Sequence, residues 1–424
     1  MNILKNKEKN YKNLLVVILV LNIIYFFYGF INQHDFSNGG KIDFDHIYNN
    51  FLLFKNNSLS EINWKNYESS SLPLHYLTTK YIIPSDNIFA FKLYTFLISL
   101  LCIIPLYQIL KLKTNTLNLN INFLFLSSII FISSSFRTDA FFGLEENIGY
   151  LLFLLTFLIF LYYLEKKNNN YLFFLIFIAS LTFYSRQTYA FVSIIVYLAI
   201  INTNQLLSKK NFTITFLFTI FLLPSLFFFY NWGSLMPTEA AERLVPFNYN
   251  NIAIIFGMFV IFNIPFFINE LIKNRTNIIL SKNIKKLILI LIFFIIYAFT
   301  FWNIPYSDFG GGPLYKIYLN FSTFKLLYLF FSFLGLISTI YFSFKNYRLS
   351  IFFIFFIIIY CFADNLFFSY LDPLMLLSLL IFHDRIIFDL KKNKIYSLSV
   401  YMYFLTLHLS WIYYFHIIIG DTLR

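Results

Sequence analysis

Apolar residues fall along the chain in blocks of roughly 15 to 22, longer than ordinary strands and close to the length that a bilayer demands of a helix. The blocks occupy residues 14–31, 89–110, 121–136, 148–164, 171–184, 188–203, 212–230, 251–268, 287–302, 323–343, 349–363, 366–382 and 396–418. This pattern predicts an all-α, polytopic integral membrane protein with about thirteen transmembrane helices, forming one domain over residues 1–424. Several blocks are short for a hydrocarbon layer of about 30 Å, and the two that flank Asp364 read equally well as one broken segment.

The gaps between blocks alternate in character. Every second gap is basic: Lys111 and Lys113, Lys166 and Lys167, Lys209 and Lys210, the group from Lys273 to Lys286, Lys345 with Arg348, and Arg385 to Lys394. With the N-terminus cytoplasmic, the inner side holds about 21 of the 32 Lys and Arg and about 5 of the 20 acidic residues, which is the bias that sets membrane orientation. The C-terminus is then non-cytoplasmic. The first block follows Lys5, Lys7, Lys9 and Lys12 and is not followed by a small-residue cleavage site, so it reads as an uncleaved signal anchor. The outer side receives a long first loop (32–88), Arg137 to Asn147, the tight connection Tyr184 to Gln187, two further loops (231–250 and 303–322), and Asp364 to Asp372.

Composition agrees with the pattern. The chain is 59% hydrophobic and only 12% charged, with a mean hydropathy of +0.69, against about 25% charged residues in an ordinary soluble domain. The net charge of +12 comes from single Lys and Arg residues in short loops and forms no stripe, so no nucleic-acid partner is expected. Cys102 and Cys361 both lie in apolar blocks, which excludes a disulfide framework and a cysteine metal cluster.

In so apolar a chain, titratable groups gathered on one face call for a chemical explanation. The first loop holds Asp35, Asp43, Asp45, His46, Glu61, Trp64, Glu68 and His75. Asp43 and Asp45 precede an amphipathic run, at or near a helix N-terminus; being two apart, they point to different sides, so one of them faces a given pocket. Ser69 to Tyr76 reads as a capped helix start leading to the second block. Arg137 and Asp139, with Glu145 and Glu146, bracket a loop in which they either pair with one another or serve a site. Arg186 sits between two apolar blocks with almost no loop around it. A guanidinium there either snorkels to head groups or pairs with a carboxylate or phosphate, which its planar fork matches. Glu239, Glu242 and Arg243 follow a turn at Asn231 to Pro237, and Asp364-Asn365 ends an apolar run. No nucleotide-binding glycine loop, zinc motif or nucleophile elbow is present.

In chain order, these stretches resemble the GT-C superfamily of polytopic glycosyltransferases. Within it they are most similar to the polyprenyl(dolichyl)-phosphate-glucose-dependent α-1,2-glucosyltransferases of lipid-linked oligosaccharide assembly. The resemblance is carried by Ile42-Asp43-Phe44-Asp45-His46, Trp64, Ser70 to Leu77, Thr138-Asp139-Ala140, Phe183 to Thr188 and Ala363-Asp364-Asn365. The chain departs from that family where Phe44 separates an otherwise adjacent acidic pair, and where Asn365 is followed by Leu366-Phe367-Phe368. The glycine-rich motif is present only loosely, from Gly233 to Arg243.

The resemblance implies a hexosyltransferase working at the non-cytoplasmic face by inversion. The membrane would be plasma or inner membrane in a bacterium, endoplasmic reticulum in a eukaryote. Its donor would be a polyprenyl-phosphate-linked hexose and its acceptor a glycan or a lipid-linked molecule. Asp43 or Asp45 would be the catalytic base, and Arg186, Arg137 and Arg243 would bind the donor phosphate. Trp64, His75, Asp139, Glu145, Gln187, Asp364 and Asn365 would shape the site. No cofactor is expected, although Asp139, Glu145 and Glu146 are the kind of ligands a hard cation takes. The competing classes are a transporter or flippase, which places charges and broken helices near the membrane midplane, and a surface-polysaccharide polymerase or ligase.

Overall fold

The computed structural model describes residues 2–35, 40–67, 69–115, 120–201, 205, 207–237, 240–241, 244–273, 284–304, 311–320 and 324–414. The fold is all-helical: each of the thirteen apolar blocks is helical over most of its described residues, and no strand forms among the described residues beyond an isolated bridge between Leu244 and Ala363. Six helices are long and apolar enough to cross a membrane, or eight if each of two bent pairs is one span. Five shorter apolar helices, of 10–17 residues, fall below the roughly 20 residues that a crossing requires. The thirteen blocks are thus not thirteen full-length spans, because serine, proline and arginine interrupt several of them. The described chain divides into two compact units, Met1–Glu242 with Ile387–Arg424, and Arg243–Ile386.

In the first unit, α1 (Asn2–Ile31) is followed by two short helices of the first loop, α2 (Gly40–Asn56) and α3 (Leu74–Ile82). Next come α4 (Ile88–Leu101), α5 (Ile103–Lys113) and α6 (Ile121–Ser127). The chain turns by 70° between Ile121–Ile132 and α7 (Ser134–Phe142). Serine chemistry accounts for the break. The hydroxyls of Ser127 and Ser128 donate to the carbonyls of Phe123 and Phe125 (2.7 Å each). Ser133 is extended and caps α7 by accepting from the Phe136 amide (3.1 Å). Such side chains offer the backbone an alternative to the helical ladder.

A carbonyl freed inside a membrane needs a donor, and Arg137 supplies one. Fully buried, it donates to the carbonyls of Phe131 (2.9 Å) and Tyr25 (2.7 Å), with its guanidinium over the Tyr25 ring. Gly29 makes room for it, since a Cβ there would stand 2.8 Å from Arg137 Nη2 and 2.5 Å from the Phe141 ring.

The helices α8 (Glu146–Lys166) and α9 (Asn169–Ser185) pack as an antiparallel pair and lead through a 3₁₀ turn at Gln187–Tyr189 to α10 (Ala190–Ile200). The pair α11 (Lys209–Leu222) and α12 (Ser225–Trp232) is bent by 43° at Pro224. Basic turns meet at one end of the unit, where Lys391 donates to the Thr114 carbonyl (3.0 Å) and Tyr11 donates to the Lys394 carbonyl.

In the second unit, the helix Asn250–Lys273 packs closely along Lys325–Lys345. Small residues permit the approach: a Cβ at Gly335 would lie 1.9 Å from the Phe256 carbonyl oxygen. Asn263 ties the pair by donating to Ser338 (3.0 Å) and Thr339 (3.3 Å). The one acid near the end of this pair, Glu270, is neutralised by Lys345 (3.3 Å) and Arg385 (2.9 Å).

Candidate active site

The first loop of the first unit is a folded structure rather than a linker. Its α2 packs on α3 and on α7, and the contact with α7 is intimate because Gly40 has no side chain: a Cβ would come within 2.4 Å of Thr138 and 2.9 Å of Phe142. The Lys41 amide at the start of the helix donates to Asp35 (3.2 Å), so a carboxylate does sit at this N-terminus. Asp43 lies in the first turn, and both Asp43 and Asp45 are exposed. Asp45 is within electrostatic reach of Lys92, whose ammonium lies 4.1 Å above the Phe44 ring and donates to Gln33 (2.9 Å). The loop thus presents two solvent-facing carboxylates on a helix anchored against α7.

Trp64 and His75 hold this loop down. Trp64 is buried among Phe54, Tyr67, Phe227 and Phe228, all edge-on. His75 is enclosed by Tyr76, Phe91 and Tyr94. Burial lowers its imidazole to about 3, so the ring is neutral at physiological pH.

A second polar group forms where α7, α8 and the turn after α9 meet. Glu145 is buried and accepts from Ser69 (2.9 Å to each oxygen) and from Tyr76 (3.0 Å). Burial, and then the charge of Glu146, push its carboxyl from 4.5 up to about 7, against the opposing pull of Arg186 and Ser69. Glu146 holds Arg186 at 3.0 Å from Oε1 to Nη1, with side-chain exposures of 18% and 11%. Arg186 is in extended conformation, and its carbonyl accepts from the Tyr189 amide (2.9 Å) as the 3₁₀ turn begins. The turn lies against α8 at Gly149, where a Cβ would be 2.3 Å from Tyr189 and 2.9 Å from the Ser185 hydroxyl. Asp139, buried on α7, joins the same neighbourhood, because Tyr150 feels Asp139, Glu146, Arg186 and Tyr189 together.

Several polar atoms of this group are shielded from water and have no hydrogen-bond partner: Glu146 Oε2, Gln187 Nε2 and Oε1, and Thr188 Oγ1. Such groups are rare in folded proteins and each calls for a reason.

The structure thus brings Asp139, Glu145, Arg186 and Gln187 into one neighbourhood, and α7 connects it to the helix that carries Asp43 and Asp45. Arg137 is placed differently, bound to backbone carbonyls and rings. Asp364 and Asn365 belong to the second unit, where Asp364 is exposed and accepts from Asn365 (2.9 Å). Arg243 lies outside the described residues. No group of three or more His, Cys, Asp or Glu side chains suited to a metal occurs among the described residues. The sequence reads Ser69 to Tyr76 as a capped helix start, whereas the helix begins after Pro73 with no side-chain cap. Sequence reasoning names none of Tyr76, Ser69, Lys92 or Thr188 individually as a site residue. The first three make contacts 69, 76 and 59 positions apart, which no local pattern reveals.

A family model described as dolichyl-phosphate-mannose-protein mannosyltransferase matches residues 75–228, a stretch that contains Asp139, Glu145, Glu146 and the Arg186 turn. No curated protein and no solved structure matches the chain. The apolar helices are those of a multi-pass membrane protein, and over residues 75–228 the chain is similar to this family of membrane glycosyltransferases.

Proposed function

We propose that the protein transfers a hexose from a polyprenyl-phosphate-linked donor to a glycan or lipid-linked acceptor at the non-cytoplasmic face, with inversion at the anomeric carbon. The observation that carries this reading is the Arg186–Glu146 pair, set beside Gln187 and Thr188 in a break between two apolar helices and inside the matched stretch. A guanidinium at the edge of an apolar region suits a lipid phosphate, which stays at the membrane surface while its polyprenyl chain lies among the helices.

In the reaction, the acceptor hydroxyl oxygen attacks the anomeric carbon while a carboxylate, Asp43 or Asp45, takes its proton. The bond from the anomeric carbon to the phosphate oxygen breaks, and the lipid phosphate leaves with that electron pair. Arg186 stabilises the charge that develops on the leaving oxygen. Glucose is the sugar favoured by the sequence resemblance, and mannose is the one named in the matched family's description.

The test is transfer by purified protein in lipid nanodiscs, supplied with radiolabelled polyprenyl-phosphate-glucose or -mannose and a lipid-linked oligosaccharide. Label should move to the acceptor. If neither donor yields product, and vesicle assays show the same lipids crossing the bilayer intact, the protein is a flippase and the reading fails.

A further inference from the structure

The unpartnered atoms around Arg186 have a mixed character that a phosphate does not match. Glu146 Oε2 only accepts, Gln187 Nε2 only donates, Gln187 Oε1 accepts, and Thr188 Oγ1 does both. A phosphate has acceptors alone and would meet the Glu146 carboxylate with like charge. A sugar ring offers neighbouring hydroxyls, each of them donor and acceptor, and so can satisfy such a set.

We infer that Glu146, Gln187 and Thr188 bind the hydroxyls of the donor's sugar ring and set which hexose is accepted. This deepens, and rests on, the reading of Arg186 as the residue facing the donor phosphate. In a polyprenyl-phosphate-hexose the sugar is attached directly to the phosphate, so a sugar subsite belongs next to the phosphate-facing arginine. Gly149 holds the turn in register with Glu146, because the turn that carries Gln187 and Thr188 packs on α8 one helical turn beyond that carboxylate. The pair with Arg186 fixes Oε1 of Glu146 and leaves Oε2 for a sugar hydroxyl. The inference also explains why so many polar atoms stay unpaired in the free protein: leaving them so is costly, and the substrate supplies what they lack. A site built to pair a hydroxyl discriminates strongly against analogues without it.

The experiment measures binding of two probes to protein in nanodiscs: polyprenyl-phosphate-hexose and the same polyprenyl phosphate without sugar. Wild-type protein should bind the sugar-bearing lipid more tightly. Gln187→Leu and Thr188→Val should each weaken that lipid by about three- to tenfold, while binding of the bare lipid phosphate stays unchanged. Equal weakening of both probes would assign these residues to the phosphate and overturn the inference, as would no weakening of either. If the sugar increment is present and lost in the variants, yet no sugar is ever transferred, the subsite stands and the transferase reading falls. If neither lipid binds wild-type protein, both fall.

Discussion

The Tyr76 hydroxyl donates to Glu145 Oε2 at 3.0 Å, joining a first-loop helix to the start of a transmembrane helix 69 residues later. Burial, together with this same carboxylate, raises the tyrosine well above its ordinary value of 10.0, so it remains a donor. The bond makes the loop a fixed wall of the polar neighbourhood, and it gives Glu145 a pH signature. The carboxyl is held at about 7 in the fold against 4.5 normally. Between those values the native state keeps a proton that the unfolded chain has lost. The contribution of Glu145 to stability therefore falls as pH rises through that window and levels off above about 7. Glu145→Gln, neutral throughout, should lose this slope. Thermal unfolding midpoints in detergent from about pH 5 to about pH 8 read the difference, and parallel curves for the two proteins would refute it.

Arg186 and Glu146 form a mostly buried pair, so removing one partner strands the other. Arg186→Ala should destabilise by an amount approaching the about 3–5 kcal/mol seen when a buried pair loses one member, and removing Glu146 as well should recover part of it. Arg186→Lys keeps charge without the planar fork, and should weaken donor binding about tenfold while the protein still inserts. Donor titration alongside unfolding separates the two effects. Full donor affinity in Arg186→Ala would return this residue to a packing role.

Hydrophobic blocks at membrane length placed the apolar helices found among the described residues, because an uninterrupted apolar run has few alternatives to helix in lipid. Where helices break was less legible. The sharp bend before Ser134 depends on serine hydroxyls taking backbone carbonyls and on Arg137 reaching Tyr25, 112 positions away. The family resemblance implies a phosphate ligand at Arg137, and the structure sets that arginine against the carbonyls of Phe131 and Tyr25 beside the break. Arg186 was readable because its neighbours allow so little loop, and the structure gives it a carboxylate. His75 and Trp64 illustrate the opposite case: both stood out among polar residues, and both fill aromatic pockets under the loop.

Two glycines test whether the Arg186 turn is positioned by contact with α8. Gly149→Ala would drive a methyl group into Tyr189, costing about 1–3 kcal/mol and shifting the turn that carries Gln187. Donor affinity should drop together with stability. Gly335→Ala meets a backbone carbonyl at 1.9 Å in the other unit. It should lower stability at least as much and leave donor affinity, measured below the unfolding temperature, as in wild type. Equal affinity losses in both variants would show that the effect on the turn is general destabilisation.

The basic turns predict topology. Reporter tags after Lys167 and after Lys210 should be cytoplasmic, and a tag beside Lys55 should be outside, since Lys and Arg favour the inner face. Lys55 lies at the end of α2 and donates to carbonyls at Lys80 and Ile83, so the tag reports the whole first loop. Cytoplasmic labelling there would move the loop, and its carboxylates, to the wrong side for a lipid-linked donor on the outer face.

The last prediction concerns Asp43 and Asp45. Both are exposed on α2, but their surroundings differ: Asp45 is coupled to Lys92, and Asp43 stands in the first turn, where the helix dipole favours negative charge. Asp43 is the first acid of the motif that carries the family resemblance, the position at which that resemblance implies the base. Asp43 is therefore the expected base and Asp45 the residue that orients Lys92 and the loop. Asp43→Asn should reduce the transfer rate by about 10²- to 10⁴-fold with donor binding intact, the effect of losing a general base. Asp45→Asn should cost less, and its loss should appear partly in stability. Initial rates at saturating donor, with membrane insertion checked in parallel, decide between them. Wild-type turnover in both variants would place the base elsewhere, with Asp35, at the start of the same helix, and Asp139, on α7 beneath it, the next residues to replace.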